Sequence, residues 1–156
     1  MNIEIRKIEK GEAVIVADLF NNYRIFYNQE SDLNLAATYI QDRLTNNESI
    51  IFVAFSLENN EPKPIGFTQL YPGYSSVRAV KYWTLNDLYV EQDYRKGGVG
   101  ALLINTVIDF AQKDNATKIE LSTGIDNVTA QRLYDKIGFI RQQPDSEYYT
   151  YTLVLK

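Results

Sequence analysis

Between Arg95 and Ala101 the chain reads Arg-Lys-Gly-Gly-Val-Gly-Ala. A helix that starts in such a stretch leaves its first N–H groups without intrahelical partners, and its dipole is positive at that end. Residues that lack a Cβ let an anion approach those groups closely. The glycine turn formed by Gly97, Gly98 and Gly100 therefore points to a phosphate or pyrophosphate, with Arg95 and Lys96 adding positive charge. Val99, Leu102, Leu103, Thr106, Val107, Phe110 and Ala111 follow at the spacing of one buried helix face. That helix runs to about Lys113 and anchors the turn.

The other chemistry open to the chain is narrowed by what it lacks. There is no cysteine, which removes disulfides, thiolate metal sites and a cysteine nucleophile. There is no histidine, which removes a Ser-His-Asp triad and imidazole zinc sites. A general base must then be a carboxylate, a lysine, a tyrosine or water. The net charge of −4 argues against a general nucleic-acid binder. No apolar run approaches a membrane span, and Met1-Asn2-Ile3-Glu4-Ile5-Arg6 is not a signal peptide, so the expected compartment is the cytoplasm.

The positioning elements follow from hydrophobic period and turn residues. Ile3, Ile5 and Ile8 mark a first strand, and a helix is predicted from about Ala13 to Tyr27. Ser31 or Asp32 caps a second helix that reaches about Asn46. Ile50–Phe55 and Ile65–Tyr71 form a hairpin around the polar stretch Glu58–Lys63, and Pro72–Ser76 reads as a loop. A long strand from about Val80 to Glu91 leads into the glycine turn. Lys118–Thr123 is a strand parallel to it, since a helix crosses between them. Asp126 or Asn127 caps a last helix with Ala130, Leu133, Tyr134 and Ile137 on one face, and Gly138 ends it. Final strands are predicted near Phe139–Gln142 and Tyr148–Leu155. The reading is α+β: a mixed, mostly antiparallel sheet of about six or seven strands flanked by about four helices. No linker or repeat divides residues 1–156, so a single domain is expected.

Glycine turns of this kind serve several ligand classes. The Walker pattern G-x-x-x-x-G-K-[ST] has no match here. A dinucleotide pattern read from Gly98 meets Leu103 where the third glycine belongs. The pattern that fits is Arg-x-x-Gly-x-Gly at Arg95, Gly98 and Gly100. A second block, Asn-x-x-Ala-x-x-Leu-Tyr-x-x-x-Gly-Phe, stands intact at Asn127, Ala130, Leu133, Tyr134, Gly138 and Phe139. Together, in this order and each behind a strand, the two blocks resemble the GNAT superfamily of N-acetyltransferases, over roughly Trp83–Phe139 by motif. Many members carry glycine directly after the arginine, where Lys96 stands here with Gly97 next.

The resemblance implies acetyl-coenzyme A as co-substrate, no metal, and a homodimer. It implies that the backbone of Leu88, Tyr89 and Val90 meets the pantetheine arm. The turn from Arg95 through Lys96, Gly97, Gly98, Val99, Gly100 and Ala101 would hold the pyrophosphate, with Asn127 and Ala130 completing the site. It makes Tyr134 the acid toward the leaving sulfur; a phenol can donate a hydrogen bond and stay neutral. Asp87 leads as the general base. In a regular strand it shares a face with Leu85 and Tyr89, opposite Asn86. Asp87 can equally hold a cationic substrate while water carries the proton, and Glu91 is the next carboxylate in line. Trp83–Val90 looks like the corresponding strand of the polyamine-acetylating branch, whose first of two adjacent acids is Asn86 here. Tyr23, Phe26, Tyr27, Tyr71, Tyr74 and Trp83 are candidates to wall an amine pocket.

The structural readings stand beside these. Tyr134 suits a helix core face, Asn127 a helix cap, and Arg95 and Lys96 a solvated turn. The expected function is acetyl transfer to a primary amine in a ternary complex. A small polyamine-like or diamine acceptor comes first and a protein amine second. The alternative is a non-catalytic acyl-coenzyme A binding domain.

Overall fold

The computed structural model of the chain describes residues 2–141, 149 and 151–155. They fall into two compact units, Met1–Ser122 and Thr123–Lys156. The first unit contains β1 (Ile3–Lys7), α1 (Ala13–Phe26), α2 (Leu33–Thr45), β2 (Ile50–Ser56), β3 (Lys63–Ser75), β4 (Val80–Val90), α3 (Val99–Lys113) and β5 (Ile119–Glu120). Its strands form one sheet in the order β1-β2-β3-β4-β5. All pairs are antiparallel except β4 with β5, which α3 joins in parallel as its position between them requires. The second unit is built on α4 (Val128–Ile137).

The mixed α+β architecture agrees with the sequence reading, with five strands and four helices among the described residues. The predicted final strands account for the difference. Phe139–Arg141 and Tyr151–Leu155 are not in strands, while Gln142, Tyr148 and Thr150 lie outside the described residues. A second difference is at Pro72–Ser75, predicted as loop and found inside β3. Proline is excluded from a strand mainly because it cannot donate to a neighbour. Here β2 pairs with β3 only as far as Leu70, so Pro72 has a partner strand on one side alone. Gly73, which faces Tyr82, leaves room for that ring: a Cβ would lie 2.3 Å from it.

Strand alternation sends the two faces of the sheet to different helices. Ile51, Val53 and Phe67 pack with Val16, Phe20, Ala36 and Ile40 from α1 and α2. Phe52, pointing the other way, meets Phe110 of α3 at 5.7 Å between ring centroids. Asp32 caps α2 by accepting from the Leu35 N–H at 3.0 Å, one of the two predicted caps. Asn21, buried on α1, fixes the same corner: its Nδ2 donates to Ser31 Oγ and its Oδ1 accepts from the Asp32 N–H. On α3 the buried residues are Val99, Leu103, Ile104, Val107 and Ala111. The predicted stripe included Leu102, which is 45% exposed. The sheet-facing line is turned slightly, so Ile104 takes the buried place.

Candidate active site

The strand ahead of the glycine turn is not regular. Gln69 of β3 faces Asp87 of β4, while its neighbour Leu70 faces Leu85. Asn86 is therefore an extra residue, a β-bulge. Consecutive residues Gln69 and Leu70 point to opposite faces, so their partners Asp87 and Leu85 do too. This corrects the expectation that Asp87, Leu85 and Tyr89 share one face. Leu85 and Trp83 belong to the α3 face, where Trp83 meets Phe110 at 5.4 Å. Asp87 and Tyr89 belong to the face covered by α1 and α2, where Tyr89 packs against Tyr23 and Phe67.

Asp87 is 4% exposed. Its Oδ2 accepts from Gln69 Nε2 at 2.6 Å and its Oδ1 from Asn86 Nδ2 at 3.0 Å. Thr68 Oγ1 donates to its backbone carbonyl at 2.8 Å, which holds the bulge closed. Among the described residues no lysine or arginine forms an ion pair with it. A buried carboxylate that has hydrogen bonds but no cation is unusual in a protein interior, where charges are normally paired. It leaves a vacancy of charge that a cationic ligand would fill.

Phenols surround it. Burial pushes the Tyr23 hydroxyl far above its usual range, and the charge and hydrogen bond of Asp87 push it further. Tyr71 is raised by burial first, then by its hydrogen bond with Tyr39 and by the charge of Asp87. The Tyr71 and Tyr39 hydroxyls are 2.6 Å apart. Both Tyr23 and Tyr71 thus stay neutral and able to donate at ordinary pH. Tyr71 also lines an open groove of about 560 Å³ with Tyr39, Arg43, Asn47, Glu48 and Pro72. Within it the Arg43 guanidinium lies over the Tyr39 ring at 4.4 Å and bonds Glu48.

Of the six aromatic candidates, then, Tyr23 bonds Asp87 and Tyr71 feels its charge, and Tyr39 joins Tyr71 unforeseen. Tyr27 packs edge-on against Tyr23. Phe26 lies under Arg95 and Tyr74 is exposed. Trp83 is on the other face, its indole N–H donating to Asp114 at 2.9 Å. It is removed from the amine pocket because the bulge separates it from Asp87. Glu91 is occupied: Asn22 of α1 donates to one oxygen at 2.9 Å and the Tyr89 hydroxyl to the other at 3.2 Å.

Past Thr84 the pairing of β4 with β5 stops. The edge from Asp87 through Leu88, Tyr89 and Val90 has no strand partner on that side among the described residues. At the end of this open edge comes a 3-10 turn, Gln92–Tyr94, and then the glycine stretch. Gly98 is the N-cap of α3 with φ +82°, and a Cβ there would meet nothing within 4 Å. Lys96 is also left-handed at φ +67°, a conformation glycine adopts more cheaply. The first backbone bond into the helix runs from the Leu102 N–H to Gly98 C=O. The N–H groups of Lys96, Gly97, Gly98, Val99, Gly100 and Ala101 carry no backbone hydrogen bond among the described residues. An open strand edge that ends in six such donors suits an extended chain terminating in a pyrophosphate.

Arg95 does not aim into that cradle. Its Nε donates to Val90 C=O at 2.8 Å, and its guanidinium lies over the Phe26 and Tyr89 rings. It braces the strand end and takes up the Val90 carbonyl. In the second unit, Asn127 Oδ1 accepts from the Ala130 N–H at 3.2 Å, so Asn127 is the N-cap of α4. Gly138 closes the helix at φ +117°, and the Phe139 N–H bonds back to Tyr134 C=O. Tyr134 is half-buried, with its ring edge-to-face against Phe139 at 5.9 Å.

Over residues 15–139 the chain matches the acetyltransferase (GNAT) family. It belongs to that family. It is 41% identical over 137 residues to the uncharacterized N-acetyltransferase YhfO of Bacillus subtilis (strain 168), covering 88% of this chain and 89% of that one. A crystal structure of a probable acetyltransferase superimposes with a TM-score of 0.86 at 33% identity, covering 98% of both chains. The fold is shared with AAC(6')-Iy in complex with a coenzyme A bisubstrate analogue, at a TM-score of 0.75 and 16% identity, over 97% of this chain and all of that one. The protein is thus a GNAT-family acetyltransferase. Among the described residues no helix is long and apolar enough to cross a membrane, and no group of acids could hold a metal ion.

Gly98 offers a direct test of the cradle. Asparagine tolerates the left-handed region, so Gly98→Asn should keep the fold while placing a side chain in the open space over the donors. The KM for acetyl-coenzyme A is expected to rise about tenfold, about 1.4 kcal/mol. The melting temperature should fall by only a few degrees. Unchanged KM in a folded variant would rule out this turn as the anion site.

Proposed function

We propose that this enzyme moves an acetyl group from acetyl-coenzyme A to a primary amine on a small molecule, first of all a diamine or polyamine-like cation. Attack is direct, within a ternary complex; with no cysteine in the chain, an acetyl-cysteine route is closed. The observation that carries this is Asp87: a buried carboxylate without a cationic partner among the described residues, beside neutral phenols and an open strand edge. A monocationic ammonium entering there restores the missing charge.

Acetyl-coenzyme A would lie along Leu88–Val90 with its pyrophosphate on the N–H groups of residues 96–101; bound there, it supplies an acyl group activated as a thioester. In this reading Asp87 takes the proton from the substrate ammonium, directly or through water, and frees the nitrogen lone pair to attack. Donors at the strand edge favour negative charge on the carbonyl oxygen as the new C–N bond forms. The C–S bond then breaks, the Tyr134 hydroxyl gives its proton to the departing sulfur, and the second proton released by the new amide nitrogen returns to Tyr134 through water. Both compact units are taken as one N-acetyltransferase domain. A cytoplasmic homodimer acting on no nucleic acid or membrane is the accompanying proposal, and light scattering in solution tests the dimer.

The deciding experiment is thiol release from acetyl-coenzyme A with a panel: 1,4-diaminobutane, spermidine, an amino-terminal peptide and a lysine side-chain amide. Preference for the small diamines supports the reading. Turnover only on the peptides moves the acceptor to a protein amine. Cofactor binding with no turnover on any amine leaves a non-catalytic acyl-coenzyme A binding domain.

A further inference from the structure

Gln69 is a residue the reaction described above does not use, and its burial needs a reason. It is fully buried in the middle of the sheet, on the same face as Phe67 and between Ile51 of β2 and Asp87 of β4. An amide without partners in such a place is destabilising. It is bonded at both ends. Nε2 donates to Asp87 Oδ2 at 2.6 Å, and Oε1 accepts from Ser49 Oγ at 2.8 Å. Ser49 is 6% exposed, so all three members of this chain are out of water.

The order of the chain is directional. Ser49 donates to the amide oxygen, so the amide nitrogen faces Asp87. The reversed amide would set two acceptors 2.6 Å apart, one of them charged. The bulge makes this possible, since it brings Gln69 opposite Asp87 on one face. A lysine or arginine in place of Gln69 would also stabilise a buried carboxylate, but it would cancel the charge an ammonium needs. A neutral donor compensates part of the burial and leaves the full negative charge for the substrate.

We infer that Gln69, set in place by Ser49, is a positioning residue that holds Asp87 as an oriented carboxylate for the incoming ammonium. This rests on the reading of Asp87 as the group that meets the amine. Kinetics with 1,4-diaminobutane test it. Gln69→Met, of similar volume, should lower kcat/KM for the diamine by about tenfold or more and leave the KM for acetyl-coenzyme A within about twofold. Ser49→Ala should act in the same direction less strongly, and Ser49→Thr, which keeps the hydroxyl, should restore activity. In an Asp87→Asn background Gln69→Met should add less than about a twofold further loss, because it works only through the carboxylate.

A loss of equal size in both backgrounds overturns the inference, as does a Ser49→Ala enzyme with wild-type kinetics. The second variant keeps the test decisive if Gln69→Met folds poorly. A crippled Asp87→Asn beside an unaffected Gln69→Met overturns this inference alone. Full activity in Asp87→Asn overturns the role of Asp87, and the inference with it.

Discussion

Asp87→Asn is expected to lower amine turnover by about 10²–10³-fold, the usual range for losing a positioned proton acceptor. The fold should survive. Asparagine is nearly isosteric, and its remaining oxygen can keep the bond from Gln69, whose nitrogen is 2.6 Å away. The new amide then faces Asn86, which is exposed and free to turn outward. One donor–donor conflict is thereby avoided, and the melting temperature should move by a few degrees at most. The pattern of the loss separates the two roles open to Asp87. A base lost from the transition state lowers kcat and kcat/KM together. A lost cation holder raises the KM for the amine and spares kcat. Wild-type turnover in a folded variant would remove Asp87 from the reaction.

Tyr134→Phe is expected to lower kcat by about 10²-fold, with the KM for acetyl-coenzyme A within about threefold. The ring is kept, and with it the edge-to-face contact on Phe139 and the closure of α4 at Gly138. Only the hydroxyl is removed, so a structural tyrosine predicts a small effect on stability and none on turnover. Thiol release at saturating substrates, followed with a thermal melt of the same sample, decides between these. An unaltered kcat assigns Tyr134 to packing.

The local parts of the site could be read from the chain because their causes are local. Gly98 takes the left-handed region at a helix start, a conformation glycine adopts at least cost. Asn127 and Asp32 have short side chains that bond a nearby N–H, and both serve as caps. Gly138 ends α4 at a left-handed position. These need only a few neighbouring residues, so their spacing carries the information. The same holds for the unpaired N–H groups after Lys96, which follow from where the helix must begin.

What failed to show was decided at longer range. Alternation along Trp83–Val90 predicts one face for Leu85, Asp87 and Tyr89, and it is wrong because the strand contains a bulge. No residue in β4 announces it. Asn86 is extra only in relation to Gln69 and Leu70 on the neighbouring strand. The trace in the sequence is the polar pair Thr68 and Gln69 between the apolar Phe67 and Leu70, the two residues that grip Asp87. Tyr39 carried no signal at all; it reaches the site because α2 lies across the sheet and brings its hydroxyl to Tyr71. Pro72 reads as a loop until the length of β2 is known.

By itself, then, the sequence determined the mixed α+β order of elements, the glycine turn on its helix, and the second block from Asn127 to Phe139. These rest on backbone rules that act within a turn or two of chain. Tertiary structure alone decided that Asp87 faces α1 and α2 while Trp83 faces α3, and that Gln69 and Ser49 stand behind the carboxylate. Those facts depend on strand register, and a one-residue change in register sends a side chain to the other face of the sheet.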